Sequence, residues 1–571
     1  MVFFVSGFSE NIYRLFKANS EHELLIIFFV ISVLFFLSFI VFYISHFVKL
    51  PSFVLAIFFG LAAKPLLEPI LENKESLVIL VGLGATLILF SGGLETPFAN
   101  FKKLILQIFS LSFPGLIITA FLFSWTIWLM GNFLGVEISI IVSVLLGALL
   151  ASTDPAAIIP VLKRLRFYNR SVKDIVVSES AVTDVVGTLL TVVFLSLVAG
   201  GAVFSGINSW YQSIFNSQSA LILLKQLFFG GLMGFFGYLF LELLSKFKKR
   251  FGQEFEADFA FFLFVPVAIF TFSLSAGGSG YLAAFVAGLG FHISEHLSET
   301  ENFFNSLIDG FFKPIIFILL GSLVDVASLI EYAPIGILAA LIFMFVIRPI
   351  AVFISLFPFV IFGRERLNFR DLLFISFVRE TGAIPAVLMV TIISLDLIEM
   401  NGLVEIGMWV ILSTLILEPV LTVKVAKFLK VAEVITDKEK IKFSPIPKTV
   451  LVTRGKSFIE RLPNVVSWSK KRSIKKVVIL LCLEGKYTEE LENEIRQQAL
   501  AAFEKHNREL NASGQSEIEF SFISRLGMLE DNIEAIATEE NLISMIFVGK
   551  KMLDYRLNEI KNLSVPLCFV D

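Results

Sequence analysis

The sequence predicts an all-α polytopic membrane protein with about 13 transmembrane helices, a broken helix in each half, and a small cytoplasmic α/β domain at the C-terminus. Three observations lead there. Hydrophobic residues make up 56% of the 571 and charged residues only 17%, and the mean hydropathy is +0.83, far above a soluble globular chain. Apolar runs near the ~20 residues that a bilayer demands recur between residues 24 and 430. After Lys430 the texture turns polar, with short β-branched runs between helical patterns. The net charge of -3 decides little, because charge is segregated by region.

Taken in order, residues 1–23 form a mixed extracytoplasmic segment. The run 24–47 is too long for a signal-peptide core and is read as the first span. The candidate spans are 24–47, 52–71, 75–95, 104–130, 136–162, 171–199, 220–245, 257–276, 279–293, 305–324, 332–360, 371–395 and 403–429. Basic residues set their direction. Lys102 and Lys103 follow the third span, and Lys163, Arg164, Arg166, Arg170 and Lys173 follow the fifth. Lys246, Lys248, Lys249 and Arg250 follow the seventh, Arg364, Arg366 and Arg370 the eleventh, and Lys424, Lys427 and Lys430 close the last. Basic loops mark the cytoplasmic side, so the N-terminus is expected outside and the C-terminus in the cytoplasm, in the cell (inner or plasma) membrane.

The transmembrane domain is therefore expected over 24–430, a linker over 431–448 and a cytoplasmic α/β domain over 449–571. That last domain is similar in outline to universal-stress-protein-like domains. Around Val548-Gly549-Lys550-Lys551 it has no glycine cluster to cradle phosphate, so it reads as a structural or regulatory appendage, with nucleotide binding the minority reading. Cys482 and Cys568 offer neither a disulfide framework nor a thiolate site. The five histidines form no metal cluster, and His292 and His296 read as an interfacial pair.

The chemistry lies in two apolar segments that read as interrupted and together bury three acids. One contains Ala151-Ser-Thr153-Asp154-Pro155-Ala-Ala, the other Glu179-Ser180-Ala-Val-Thr183-Asp184. A charge at the centre of a membrane helix costs roughly 2.5–3.5 kcal/mol on insertion scales, so packing alone does not explain three. Pro155 cannot donate a helical hydrogen bond and disfavours helix at the residue before it. Thr153 and Asp154 are thus expected in an unwound stretch at mid-depth, the arrangement that secondary transporters use to hold ions. Ser180 and Asp184 share one helix face, and Glu179 and Thr183 the neighbouring one. The first face offers hard oxygens to a monovalent cation, and Asp184 is read as its binding group or that of a proton. The other face offers an acid that needs a partner, for which Arg348 and Arg379 are the candidates, Arg348 being favoured as a structural ion pair with Glu179. Gly382 and Pro385 interrupt a second segment, and a broken helix in each half marks an inverted repeat. Glu95 and Lys313 read as interfacial, Lys313 by snorkelling.

These residues carry a resemblance. Leu89-Phe-Ser-Gly-Gly-Leu-Glu, Ala151-Ser-Thr-Asp-Pro-Ala-Ala, Glu179-Ser-Ala-Val-Thr-Asp184, Gly278-Ser-Gly-Tyr-Leu-Ala-Ala-Phe-Val-Ala-Gly-Leu, Ile347-Arg-Pro-Ile-Ala-Val-Phe and Gly382-Ala-Ile-Pro occur in this order across 24–430. The chain resembles monovalent cation:proton antiporters of the sodium/proton exchanger superfamily, on the branch of NhaP-type and bacterial cell-volume-regulation proteins. The resemblance implies crossing broken helices, a homodimer and elevator-like alternating access. It implies that Asp184 carries cation or proton, that Thr153, Asp154 and Ser180 help coordinate, and that Glu179 pairs with Arg348. Two departures stand out. Thr183 occupies the place of the branch's usual Asn, and Arg379 lies three residues before Gly382 rather than beside it. A single titratable carrier implies one-for-one, electroneutral exchange of Na+ or K+ for H+. No cofactor, enzymatic activity or nucleic-acid partner is expected. The rival readings are a channel, which would need a filter sequence, an intramembrane aspartyl protease, and a transporter-like sensor.

Overall fold

The computed structural model describes residues 22–48, 50–96, 98–154, 159–162, 165–251, 258–291, 298–362, 367–378, 381–396, 400–434, 448–453, 458–472, 474, 476–483, 489–512, 519–526, 529, 532–533, 536, 543–549 and 567–570. The expectations for the 1–21 stretch, Pro155, Arg379, the His292–His296 pair and most of the linker lie outside the described residues.

The chain divides into two compact units, 1–161 with 171–429 and 162–170 with 430–571. This moves 162–170 out of the expected transmembrane domain. Strand β1 (Leu165–Phe167) pairs antiparallel with β2 (Ala432–Val434), which also puts a strand where the linker was expected. The pairing buries Leu165, Phe167 and Ala432. Three-residue strands so far apart in sequence leave no periodicity to read.

In the larger unit, helices α1 (His22–Val48), α2 (Ser52–Glu72) and α3 (Lys74–Glu95) come first. Ile105–Ser110 and a π-helical turn, Leu111–Gly115, lead into α4 (Leu116–Leu134). Next are α5 (Ile140–Leu150), α6 (Arg170–Ala199), α7 (Ser217–Phe251), α8 (Asp258–Ser275) and α9 (Gly280–Gly290). Ser298–Leu307 passes through a second π-turn, Ile308–Phe312, into α10 (Lys313–Ser322). Then α11 (Val326–Ile342) passes through a third, Phe343–Ile347, into α12 (Arg348–Phe362). Helices α13 (Phe369–Phe377), α14 (Ala383–Leu395) and α15 (Leu403–Phe428) close the unit.

Among the described residues nine helical stretches are long and apolar enough to cross a membrane, and four shorter apolar helices stand at 140–150, 260–275, 280–290 and 383–395. The four fall in the fifth, eighth, ninth and twelfth expected spans. The outer face of α1 is a row of exposed aromatic side chains, Phe35, Phe36, Phe39, Phe42 and Tyr43, a surface suited to lipid rather than water.

Proline explains the π-turns. Pro114 lies inside the first, and Pro314 and Pro349 follow the other two within two residues. Each lacks the N–H that would bind the carbonyl four residues back, and a widened turn absorbs the mismatch. The carbonyl left over by Pro314 is that of Gly310, and Ser38 Oγ donates to it at 3.0 Å, which satisfies the acceptor. Close helix contacts use small residues. A Cβ at Gly60 would collide with the Ile318 carbonyl, and one at Gly321 with that of Ile57, so α2 and α10 touch backbone to backbone at both sites.

The smaller unit holds a five-stranded sheet, ordered β5-β4-β3-β6-β7. Its strands are β3 (Lys448–Thr453), β4 (Lys476–Leu483), β5 (Glu519–Leu526), β6 (Ile543–Gly549) and β7 (Leu567–Val570), each pairing parallel with its neighbours. Alternate residues feed two cores. Val450, Val452, Val478 and Leu480 pack with Leu529, Ile533 and Ile536 on one face. Leu451, Val477, Ile479 and Leu481 pack on the other with helices α16 (Phe458–Lys471) and α17 (Glu489–Ala512). Both faces are covered, which is why these strands read as unbroken apolar runs. The expected parallel α/β domain is present.

Candidate cation site at a helix break

Helix α5 ends at Leu150, Ala151 turns, and Ser152, Thr153 and Asp154 have no helical structure before the chain coils again at Ile159–Leu162. Two neighbouring hydroxyl side chains, which compete for backbone groups, and the following proline account for the stop. The second segment departs from expectation: α6 runs unbroken from Arg170 to Ala199. It contains no proline, and its glycine serves contact rather than interruption. A Cβ at Gly187 would stand 2.9 Å from that of Ser152, so this glycine lets the unwound chain lie against α6.

The two segments meet through hydroxyls. The Thr153 and Thr183 hydroxyls share a hydrogen bond at 3.1 Å. Ser180 Oγ donates to the Thr153 carbonyl, and Thr183 Oγ1 donates to the Ser180 carbonyl at 2.9 Å. Asp184 follows Thr183, lies one turn beyond Ser180 and is 6% exposed. Asp154 follows Thr153 and is half-buried. Five of the expected site residues, Thr153, Asp154, Ser180, Thr183 and Asp184, therefore gather around one hydrogen-bonded crossing of α6 by an unwound strand.

The second break lies between α13 and α14. Val378, Thr381 and Gly382 are non-helical, and Arg379 lies outside the described residues. A Cβ at Gly382 would collide with the Asp154 side chain, and the Ala383 N–H donates to Asp154 Oδ2 at 3.4 Å. The first N–H of α14, at the positive end of the helix dipole, thus reaches Asp154. Behind it, the Thr381 and Thr414 hydroxyls bond at 2.8 Å and tie the loop to α15.

Beside the crossing, Arg348 Nη2 donates to both carboxylate oxygens of Glu179, at 2.7 and 2.9 Å, with both side chains buried. Buried Glu418 on α15 also acts on this guanidinium. Sequence reasoning passed over Glu418, although an acid next to Pro419 in an apolar run was a visible signal. Lys313 is corrected outright. It does not snorkel to an interface but is buried inside the protein, with Nζ 2.8 Å from Asp309 Oδ1. Asp154 and Glu95 also act on its charge. Glu95 itself, the last residue of α3, is exposed.

The chain is similar to known proteins. The profile described as sodium/hydrogen exchanger, transmembrane, matches residues 3–427. A K(+)/H(+) antiporter NhaP from Alkalimonas amylolytica is 27% identical over 376 residues, which cover 63% of this chain and 59% of that relative. The Na(+)/H(+) antiporter 1 of Methanocaldococcus jannaschii is 26% identical over 368 residues, 61% of this chain and 79% of the relative. The match to a K(+)/H(+) antiporter NhaP2 of Shewanella oneidensis covers 52% of that protein, so this chain spans little more than half the length of two of these relatives. In fold it is similar to the solved structure of the sodium proton antiporter MjNhaP1 from Methanocaldococcus jannaschii, with a TM-score of 0.55, 22% identity, and 71% of this chain and 99% of that one covered. The chain is a multi-pass membrane protein and belongs to the transmembrane sodium/hydrogen exchanger family.

Proposed function

We propose that the protein is a secondary active antiporter that exchanges a monovalent cation, Na+ or K+, for H+. The observation that carries this reading is the crossing at which the Ser180 and Thr183 hydroxyls meet the unwound chain at Thr153, with buried Asp184 one turn beyond Ser180 on the same helix. Hard, mostly neutral oxygens around one carboxylate suit a dehydrated monovalent cation. Asp154 adds negative potential from the unwound side.

In this reading Asp184 takes either a proton or a cation, never both. A filled site is neutral and crosses the low-dielectric barrier cheaply, whereas the empty carboxylate does not. Glu179 stays out of the exchange because Arg348 holds it. With a single carrier the exchange is one-for-one and electroneutral. The thirteen-span count, alternating access by an elevator-like movement, a homodimer, an outside N-terminus and a cytoplasmic C-terminal appendage belong to the same proposal. Family membership and the alternation of basic loops support them.

Reconstitution tests this directly. Liposomes with a trapped pH dye and an imposed pH gradient receive Na+, K+ or Li+ in turn. The reading predicts proton movement triggered by at least one of these cations and independent of membrane voltage. Currents with no coupled proton flux would contradict it.

A further inference from the structure

The exchange described above makes no use of the ribbon formed by β1 and β2, yet that ribbon joins the two helices that matter most to it. Strand β1 lies between the two parts of the candidate site in the chain: Thr153 and Asp154 precede it, and Ser180, Thr183 and Asp184 follow it on α6. Strand β2 begins shortly after the end of α15, the helix whose Thr414 ties down the loop at the second break. In the ribbon Leu165 stands opposite Val434, Arg166 opposite Glu433 and Phe167 opposite Ala432. Tyr168 extends it, its N–H donating to the Val431 carbonyl at 3.1 Å and its hydroxyl to Glu433 Oε1 at 2.7 Å. Helix α6 then starts at Arg170 and runs without a break. A shift at its start is therefore carried along a rigid rod to Asp184, about 21 Å away.

The second observation is strain. Lys430, in the turn between α15 and β2, has φ of 53°, in the left-handed region. Helices that end this way usually place glycine there, because a Cβ is unfavourable in that conformation. Such strain persists only where the surroundings impose it, and the ribbon begins two residues on. Two tendencies thus oppose each other. Burial of Leu165, Phe167 and Ala432 holds the ribbon shut. The strained turn favours opening, as does the shortness of the ladder, since two strands alone are marginal. An element balanced in this way is suited to switching between two states. The segment 162–170 also groups with 430–571 and not with the helices that flank it, so the chain between the two parts of the site belongs to the C-terminal unit.

We propose that the β1–β2 ribbon is an autoinhibitory strap through which the C-terminal unit controls exchange. Paired, it fixes the start of α6 against the end of α15 and slows the movement by which the site opens to each side in turn. Released, it lets the two helices part, and exchange quickens. The inference rests on the antiporter reading above and adds its regulation.

The strap is tested by locking it reversibly in the full-length protein. Arg166→Cys/Glu433→Cys puts thiols on directly opposed residues, which strand alternation sets apart from the buried Leu165, Phe167 and Ala432. Opposed residues of antiparallel strands are close enough for a disulfide. Cation-triggered proton flux in liposomes is measured under oxidant and again under reductant, with the new link verified by mass spectrometry. Wild type, which keeps Cys482 and Cys568, and each single-cysteine variant serve as controls. The strap predicts exchange at least as fast as wild type when reduced, a several-fold fall when linked, and recovery on reduction. Linked protein that exchanges as fast as the reduced form would overturn it, as would folded protein that forms no link. Two further variants decide the matter if the cysteine pair does not fold. Phe167→Ser weakens the pairing and should raise the rate. Lys430→Gly relieves the turn of the closed ribbon and should lower it, and a rate at or above wild type in Lys430→Gly would overturn the strap. Wild type without any exchange overturns the antiporter reading itself, a result distinct from exchange that ignores the link.

Discussion

Helix α6 carries two buried acids less than two turns apart, and the elements around them differ. Glu179 faces Arg348, which donates to both of its oxygens. Asp184 lies one turn beyond Ser180, whose hydroxyl meets the unwound chain at the crossing. Burial does not separate them, since both are nearly inaccessible. In the proposed reading their tasks do: Glu179, opposite a fixed cation, braces the site, and Asp184 carries the mobile ion.

The largest expected effect attacks the brace. Arg348→Met leaves Glu179 charged and buried, which costs about 3–5 kcal/mol. Thermal unfolding in detergent should show a large fall in Tm, with much of it recovered in Arg348→Met/Glu179→Gln. A stable but inactive Arg348→Met would break the comparison by giving Arg348 a working role.

Gly382→Ala sharpens it from the other side. The added methyl collides with Asp154, so the loop must shift at a cost of about 1–3 kcal/mol, and exchange should fall several-fold. Comparing the flux and Tm of this variant separates damage to the crossing from general unfolding.

Thr183→Val removes the hydroxyl shared with Thr153. The expected loss is about 1 kcal/mol, with a raised apparent KM for the cation and the fold intact. An unchanged KM would remove Thr183 from the site.

The smallest effect lies outside the spans. Burial, with Glu95 nearby, pushes the Glu301 carboxyl up from 4.5 to about 6. Between these values the folded protein binds more protons than the unfolded chain, so stability falls as pH rises. Glu301→Gln should flatten that slope slightly, solvent screening keeping the effect small. A steeper slope in the variant would reverse the assignment.

Much of this was legible in one dimension. Hydropathy and basic loops locate the apolar helices, Pro155 marks the first break, and the four-residue spacing of Ser180 and Asp184 puts them on one face. The rest depends on contacts between distant segments. Nothing in the sequence says that Gly187 receives Ser152, that Ala383 donates to Asp154, or that Thr381 meets Thr414. Lys313 looked like a snorkelling residue because a long stem permits it, and only packing shows the ammonium kept inside. The Lys313-Pro314 and Arg348-Pro349 pairs were visible, but the π-turn before each was not.

The central claim is that Asp184 holds proton and cation in alternation. The most direct measurement is proton release from purified protein in weakly buffered detergent solution when Na+ or K+ is added, for wild type and Asp184→Asn. The account predicts about one proton released per cation bound by wild type and none from Asp184→Asn, with both proteins folded. Undiminished release from folded Asp184→Asn would contradict it and move the exchange to another group.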